Sequence, residues 1–92
     1  MARRAAKVDG NHAAVVDALR AAGCFVQSLA AVGGGCPDIL AGKYGVWHLI
    51  EIKDAGGRLT PQQKSWHAAA LPQRTHIAYT VADALLIVTG TR

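Results

Sequence analysis

Val46-Trp47-His48-Leu49-Ile50-Glu51-Ile52-Lys53 is a continuous, largely apolar run that closes on a carboxylate and an ammonium two residues apart. Apolar residues on nearly every position predict a central strand covered on both faces. Side chains alternate across a strand, so Glu51 and Lys53 share one face while Ile52 points to the other. Upstream, Gly35-Cys36-Pro37-Asp38 places a second acid just after a proline. A proline's fixed φ and missing N–H suit a strand entrance or bulge, where a side chain is readily re-aimed. A hairpin through Tyr44-Gly45 then brings Asp38 beside Glu51. Two hard carboxylate oxygens, completed by a backbone carbonyl and water, make a donor set that Mg²⁺ accepts, and Mg²⁺ usually works beside phosphate. Lys53 faces the same phosphate or its attacking water.

The pattern changes period in both directions from this run. Residues 9–22 carry Ala14, Val15, Ala18, Leu19 and Ala22 at helical spacing, with Asp9 or Asn11 as the cap and Gly23 as the stop. Residues 24–29 read as a short strand, Gly33-Gly34-Gly35 ends it, and residues 38–41 form the next. After the flexible connection 54–58, Thr60-Pro61-Gln62-Gln63 is a capping box with proline at the first helical position. The helix it opens presents Trp66, Ala69 and Ala70 on one face and closes before Pro72. Residues 76–79 form a fourth strand. Thr80-Val81-Ala82-Asp83 resembles another capping box, and the run 85–88 that follows reads as helix in preference to strand. The order α, β, β, β, α, β, α predicts an α/β domain with a small mixed β-sheet flanked by helices.

Ninety-two residues suffice for one small domain. The 51% apolar fraction includes eighteen alanines, so the core is thin in large side chains and a second copy is a natural source of further buried area. Ten Lys and Arg against six Asp and Glu give a formal charge of +4, which suits a polyanionic partner. Lys43, Lys53, Arg58 and Lys64 are expected around the carboxylates as phosphate contacts. Arg3, Arg4 and Lys7 make residues 1–8 a basic tail that either adds phosphate contacts or frays. No apolar stretch approaches the ~18 residues of a membrane span, and no apolar signal core follows the basic start, so the expectation is a cytoplasmic protein with no membrane partner. Cys24 and Cys36 lack metal-binding spacing and read as buried free thiols. Trp47 and Trp66 read as core residues, with Trp47 on the pleat side of Glu51, and His48 as a core or sheet-face histidine.

The ordered set Gly-Gly-Gly-Cys-Pro-Asp-Ile-Leu, an apolar strand ending in Glu51-Ile52-Lys53, then Leu59-Thr60-Pro61-Gln62-Gln63 and Trp66 resembles a stand-alone VRR-NUC domain of the PD-(D/E)xK nuclease superfamily, such as phage-encoded nucleases that act in a host cytoplasm. The nuclease domain so implied spans residues 9–92 on a restriction-endonuclease-like core. The resemblance implies a Mg²⁺-dependent DNA endonuclease, with Mn²⁺ able to substitute. Asp38, Glu51 and the Ile52 carbonyl would hold the metal, and Lys53 would orient or activate the attacking water. Gln63 matches a glutamine near the active site, although the capping box alone also explains it. Related nucleases often take another acid from the first helix. Here Asn11 and His12 stand in that region, which favours a single metal ion and leaves His12 as a weak ligand or substrate contact. Without an extra domain to read bases, the expected cutting is structure-selective, in the manner of a homodimeric Holliday-junction resolvase acting on branched or four-way DNA. The competing expectation is a non-catalytic DNA-binding module on the same fold.

Overall fold

The computed structural model describes residues 10–90 as seven elements: α1 (His12–Ala21), β1 (Phe25–Ser28), β2 (Ile39–Lys43), β3 (Val46–Ile52), α2 (Pro61–Ala70), β4 (His76–Ala78) and α3 (Val81–Gly90). The basic tail and Asp9, the alternative cap of α1, lie outside the described residues. The sheet order is β1-β2-β3-β4, with antiparallel pairing across the first two junctions and parallel pairing of β3 with β4. The expected α/β architecture with a mixed sheet is therefore present, and the run 85–88 is helical.

Tyr44 and Gly45 both take positive φ, 54° and 77°, as the two-residue turn of a right-twisting hairpin requires. That turn sets the register Lys43↔Val46 through Ile39↔Ile50. Every side chain of β2 and β3 is thereby assigned to one of two faces. Ile39, Ala41, His48, Ile50 and Ile52 share the first face and are all buried. Val15 and Leu19 of α1, Cys24, Val26 of β1, Ala78 of β4, and Ala84 and Val88 of α3 complete this core. Each fully buried Leu, Ile or Val stabilises the fold by about 1.5–3 kcal/mol, whereas the three alanines contribute much less. On α1 the inward stripe is Val15 and Leu19, and Ala14 faces solvent, contrary to the periodicity reading. His48 lies at the bottom of this face with its ring 5.9 Å from that of His76. Burial lowers the pKa of both rings, with repulsion from His48 and Arg74 adding to the effect at His76.

The second face carries Gln27, Leu40, Leu49, Glu51 and the row Phe25, Gly42, Trp47. It is covered at one end only. Residues 46 and 47 are exposed where two-sided burial was expected, and Trp47 is 61% exposed instead of core. The reason is the placement of α2. That helix has no buried residue, and its N-terminal turn reaches the sheet at Glu51 through Gln63. Its inward stripe is Gln63, Trp66, His67 and Ala70, all partly buried, while Ala69 points to solvent.

Asn11 precedes α1 without using its side chain as a cap. The carboxylate of Asp54 accepts from the N–H groups of Gly10 and Asn11 at 3.0 and 3.2 Å, which supplies the anion that a helix N-terminus favours from 43–44 residues away. The freed Asn11 amide donates to the carbonyls of Lys53 and Tyr79, tying α1 to the ends of β3 and β4. Asp54→Ala is therefore expected to lower unfolding stability by about 1–2 kcal/mol, a normal capping effect, with Asp54→Asn losing less. Urea unfolding measures both, and an unchanged midpoint in Asp54→Ala would remove this joint from the account.

Candidate active site

The hairpin register that pairs Ile39 with Ile50 leaves Asp38 one residue beyond the end of β2, level with Glu51 on the second face. Pro37, fully buried, precedes it. The main chain of Asp38 still belongs to the sheet, since its carbonyl accepts from the Leu29 N–H at 2.8 Å. Its side chain extends the ladder on the other side, with Oδ2 accepting from the Ile52 N–H at 2.7 Å. One carboxylate oxygen is thus fixed to the β3 backbone next to the Ile52 carbonyl proposed from the sequence.

Glu51, the chain's one glutamate, is 1% exposed. Its Oε2 accepts from Gln63 Nε2 at 3.1 Å and lies 3.6 Å from Lys53 Nζ. Its Oε1 is buried and has no hydrogen-bond partner among the described residues. Burial is the largest influence on this carboxyl. The charge of Asp38 is next, followed by a hydrogen bond to Asp38 that only a protonated carboxyl can make. Lys53 pulls the other way and loses, so the pKa rises from 4.5 to about 7. Two acids in this position favour either a shared proton or a cation. The Cys36 thiol, half-buried at the edge of the site where full burial was expected, belongs to the same neighbourhood. Burial raises its pKa first, and the charges of Glu51 and Asp38 raise it further.

Gln63 fills both roles that the sequence left open. Its Oε1 accepts from the Thr60 N–H at 2.9 Å and Thr60 Oγ1 accepts from the Gln63 N–H at 3.1 Å, closing the capping box. The remaining amide protons serve Glu51. A Gln at this position is therefore held by its own helix end before it orients the carboxylate.

Asp38, Glu51, Lys53 and Gln63 converge, and the other candidates are distributed differently. Lys43 sits at the turn end of β2, remote from Asp38, with its ammonium donating to the Ala22 carbonyl and standing 4.5 Å from the Tyr44 ring centre. The five-residue step along the strand from Asp38 carries it about 16–17 Å away, so it does not join the carboxylates where the charge pattern predicts it. Arg58 and Lys64 are exposed on the connection before α2 and on its first turn. Asn11 lies against the Lys53 carbonyl but spends its amide on backbone. His12 is the half-buried first residue of α1. Cys36 is the neighbour that the sequence reading misses, and its position two residues before Asp38 is the signal that could find it.

Among the described residues no three His, Cys, Asp or Glu side chains cluster tightly enough to form a metal cage by themselves. Nor, among them, is any helix long and apolar enough to cross a membrane. Comparison of the chain with known protein families, curated proteins and solved structures returns no match.

Proposed function

We propose that the chain is a metal-dependent DNA endonuclease with a restriction-endonuclease-like core, hydrolysing phosphodiester bonds at the Asp38–Glu51 pair. The observation that carries this reading is the buried Oε1 of Glu51, unpartnered among the described residues, beside a second carboxylate. An acid so strongly desolvated is costly unless protonated or bound to a cation. The donors fit a hard divalent ion, because Asp38, Glu51 and the Ile52 carbonyl all offer oxygen. When bound, Mg²⁺ or Mn²⁺ would neutralise phosphate charge and bring the pKa of a coordinated water towards neutral.

The protein's own groups then divide the remaining work. Gln63 and Lys53 hold the Glu51 carboxylate in one orientation. Lys53, carried on the same pleat face, presents an ammonium to a phosphate oxygen or the attacking water. The Ile52 N–H keeps Asp38 in place. Arg58 and Lys64, both exposed, are suited to contact flanking phosphates. A homodimer offering two such sites suits paired incisions in branched or four-way DNA.

The test is a cleavage assay in Mg²⁺ or Mn²⁺ on linear duplex, single strand, flap and four-way junction, with Lys53→Ala alongside and circular dichroism to verify its fold. The expected result is metal-dependent cutting that prefers branched DNA and falls at least about 100-fold in Lys53→Ala. Equal cutting of all four substrates would remove structure selectivity. Binding without cutting of any would favour the non-catalytic DNA-binding module.

A further inference from the structure

The core face of the sheet carries donors of a different kind. His48 on β3 stands two residues before Ile50, and Ile50 pairs in parallel with His76, the first residue of β4. Paired positions on adjacent strands share a face, so both imidazoles lie on the side of Ile50 and Ile52, opposite Glu51 and Lys53. His48 is 5% exposed and His76 is half-buried. Their ring centres are 5.9 Å apart with planes inclined at 57°, so the rings approach without stacking. Among the described residues neither ring hydrogen-bonds to protein, in contrast to His67, whose Nδ1 meets Thr75 Oγ1 at 2.5 Å. The chain thus segregates its ligand atoms, with carboxylate oxygens on one face of β3 and imidazole nitrogens on the other.

We propose that His48 and His76 bind a transition-metal ion of the Zn²⁺ class, through one imidazole nitrogen from each ring with water in the remaining positions. The site is separate from the Asp38–Glu51 pair and does not rest on the nuclease reading. Ligand type distinguishes the two, since imidazole suits Zn²⁺, Ni²⁺ and Cu²⁺ whereas carboxylate and carbonyl oxygens suit Mg²⁺ and Mn²⁺. A tetrahedral ion with nitrogens at about 2.1 Å sets two ring centres about 5 Å apart, so the rings close by less than about 1 Å to hold it. Burial disfavours the protonated form of both rings, which leaves a lone pair on each for the metal. His76 opens the three-residue β4, and its pairing with Ile50 begins the parallel ladder. An ion shared with His48 clasps β4 to β3 at that end. Asn11 ties the other end, through the Lys53 and Tyr79 carbonyls. A small domain with three alanines in its buried core gains from such a staple.

The experiment titrates Zn²⁺ into the tag-free full chain in excess Mg²⁺, with calorimetry to measure binding and heteronuclear NMR to follow the histidine ring nitrogens. One ion per chain is expected. The ring nitrogens of His48 and His76 should shift on binding, and those of His12 and His67 should not. His76→Gln, at the more exposed of the two positions, should weaken binding at least about tenfold, and Glu51→Gln should leave it within about twofold. Zn²⁺ should raise the thermal midpoint of the parent by several degrees and leave that of His76→Gln unchanged. Circular dichroism without metal verifies the fold of the variant, and the NMR readout on the parent needs no substitution. Shifts confined to other histidines, or full affinity in His76→Gln, overturn the proposal. So does loss of binding in Glu51→Gln, which would assign the Zn²⁺ to the carboxylates. Cleavage assays decide the nuclease reading separately, because Zn²⁺ binding at the histidines is measured without DNA.

Discussion

Replacing Glu51 with glutamine is expected to make the metal-free protein more stable at pH 8 and to abolish metal-dependent cleavage. The native carboxyl titrates near 7 instead of 4.5, so the fold holds this proton more tightly than the unfolded chain does. Its stabilising contribution is complete below about pH 4.5 and is lost as pH rises through about 7. Glutamine has no proton to lose. The variant's advantage should therefore be absent at low pH, grow across that window and level off above it. The substituted amide can still accept from Gln63, and its N–H can donate to Asp38 the bond that the protonated acid makes. The variant forfeits the 3.6 Å contact with Lys53. That loss is the smaller effect, because desolvation and Asp38 already outweigh Lys53 in the native protein. Removing an incompletely compensated buried charge is worth about 1–3 kcal/mol, or several degrees in thermal midpoint for a domain of this size. Thermal melts in EDTA at pH 5 and pH 8 measure the gain. Added Mg²⁺ should then raise the midpoint of the parent and not of the variant, since only a bound ion stabilises by mass action. Cleavage should fall at least about 1,000-fold. A lower midpoint at pH 8 would mean that the Glu51–Lys53 pair is a net stabiliser, and retained cleavage would end the metal-site reading.

The parts of this site that were legible in the sequence are those fixed by local rules. Period two on β3 places Glu51 and Lys53 together, the Tyr44-Gly45 turn dictates the register that brings Asp38 to them, and Thr60 with Gln63 announces a helix start. What escaped depends on packing between distant segments. Nothing local to Trp47 says that α2 covers only the Glu51 end of the face, so an apolar strand read as buried throughout. Asp54 looked like part of a flexible connection because its partners, the Gly10 and Asn11 N–H groups, lie on the far side of the chain. Lys43 was grouped with the carboxylates by charge, although strand geometry carries it to the opposite end. The tendency is consistent: chemistry borne by one element and its turn is readable, whereas the cover over that element is not.

The placement of α2 makes Gly35→Ala the second large effect. Gly35 has φ +87°, where an L side chain costs about 1–2 kcal/mol. A Cβ there would also stand 2.4 Å from the Gln62 carbonyl oxygen, 2.7 Å from its carbon and 3.0 Å from the Gln63 nitrogen. These are backbone atoms in the first turn of α2, pinned by Pro61 and by the capping box, so no side chain can swing aside. The helix as a whole must give way. It has no buried residue to resist displacement, whereas Gly35 is tied to Pro37 and Asp38 at the core edge. The first turn of α2 should therefore move off the sheet and take Gln63 away from Glu51. Gly34→Ala separates this from simple backbone strain, because Gly34 also has positive φ, +67°, but nothing lies within 4 Å of its added Cβ. Gly34→Ala should lose about 1–2 kcal/mol and keep its cleavage rate. Gly35→Ala should lose at least about 2 kcal/mol more and cut at least about tenfold more slowly, with a higher Mg²⁺ requirement because Glu51 is no longer oriented. Urea unfolding and a Mg²⁺ titration of the cleavage rate provide the comparison. Equal behaviour of the two variants would mean that contact between Gly35 and α2 does not hold Gln63 at the site, leaving the capping box as the whole reason for that glutamine.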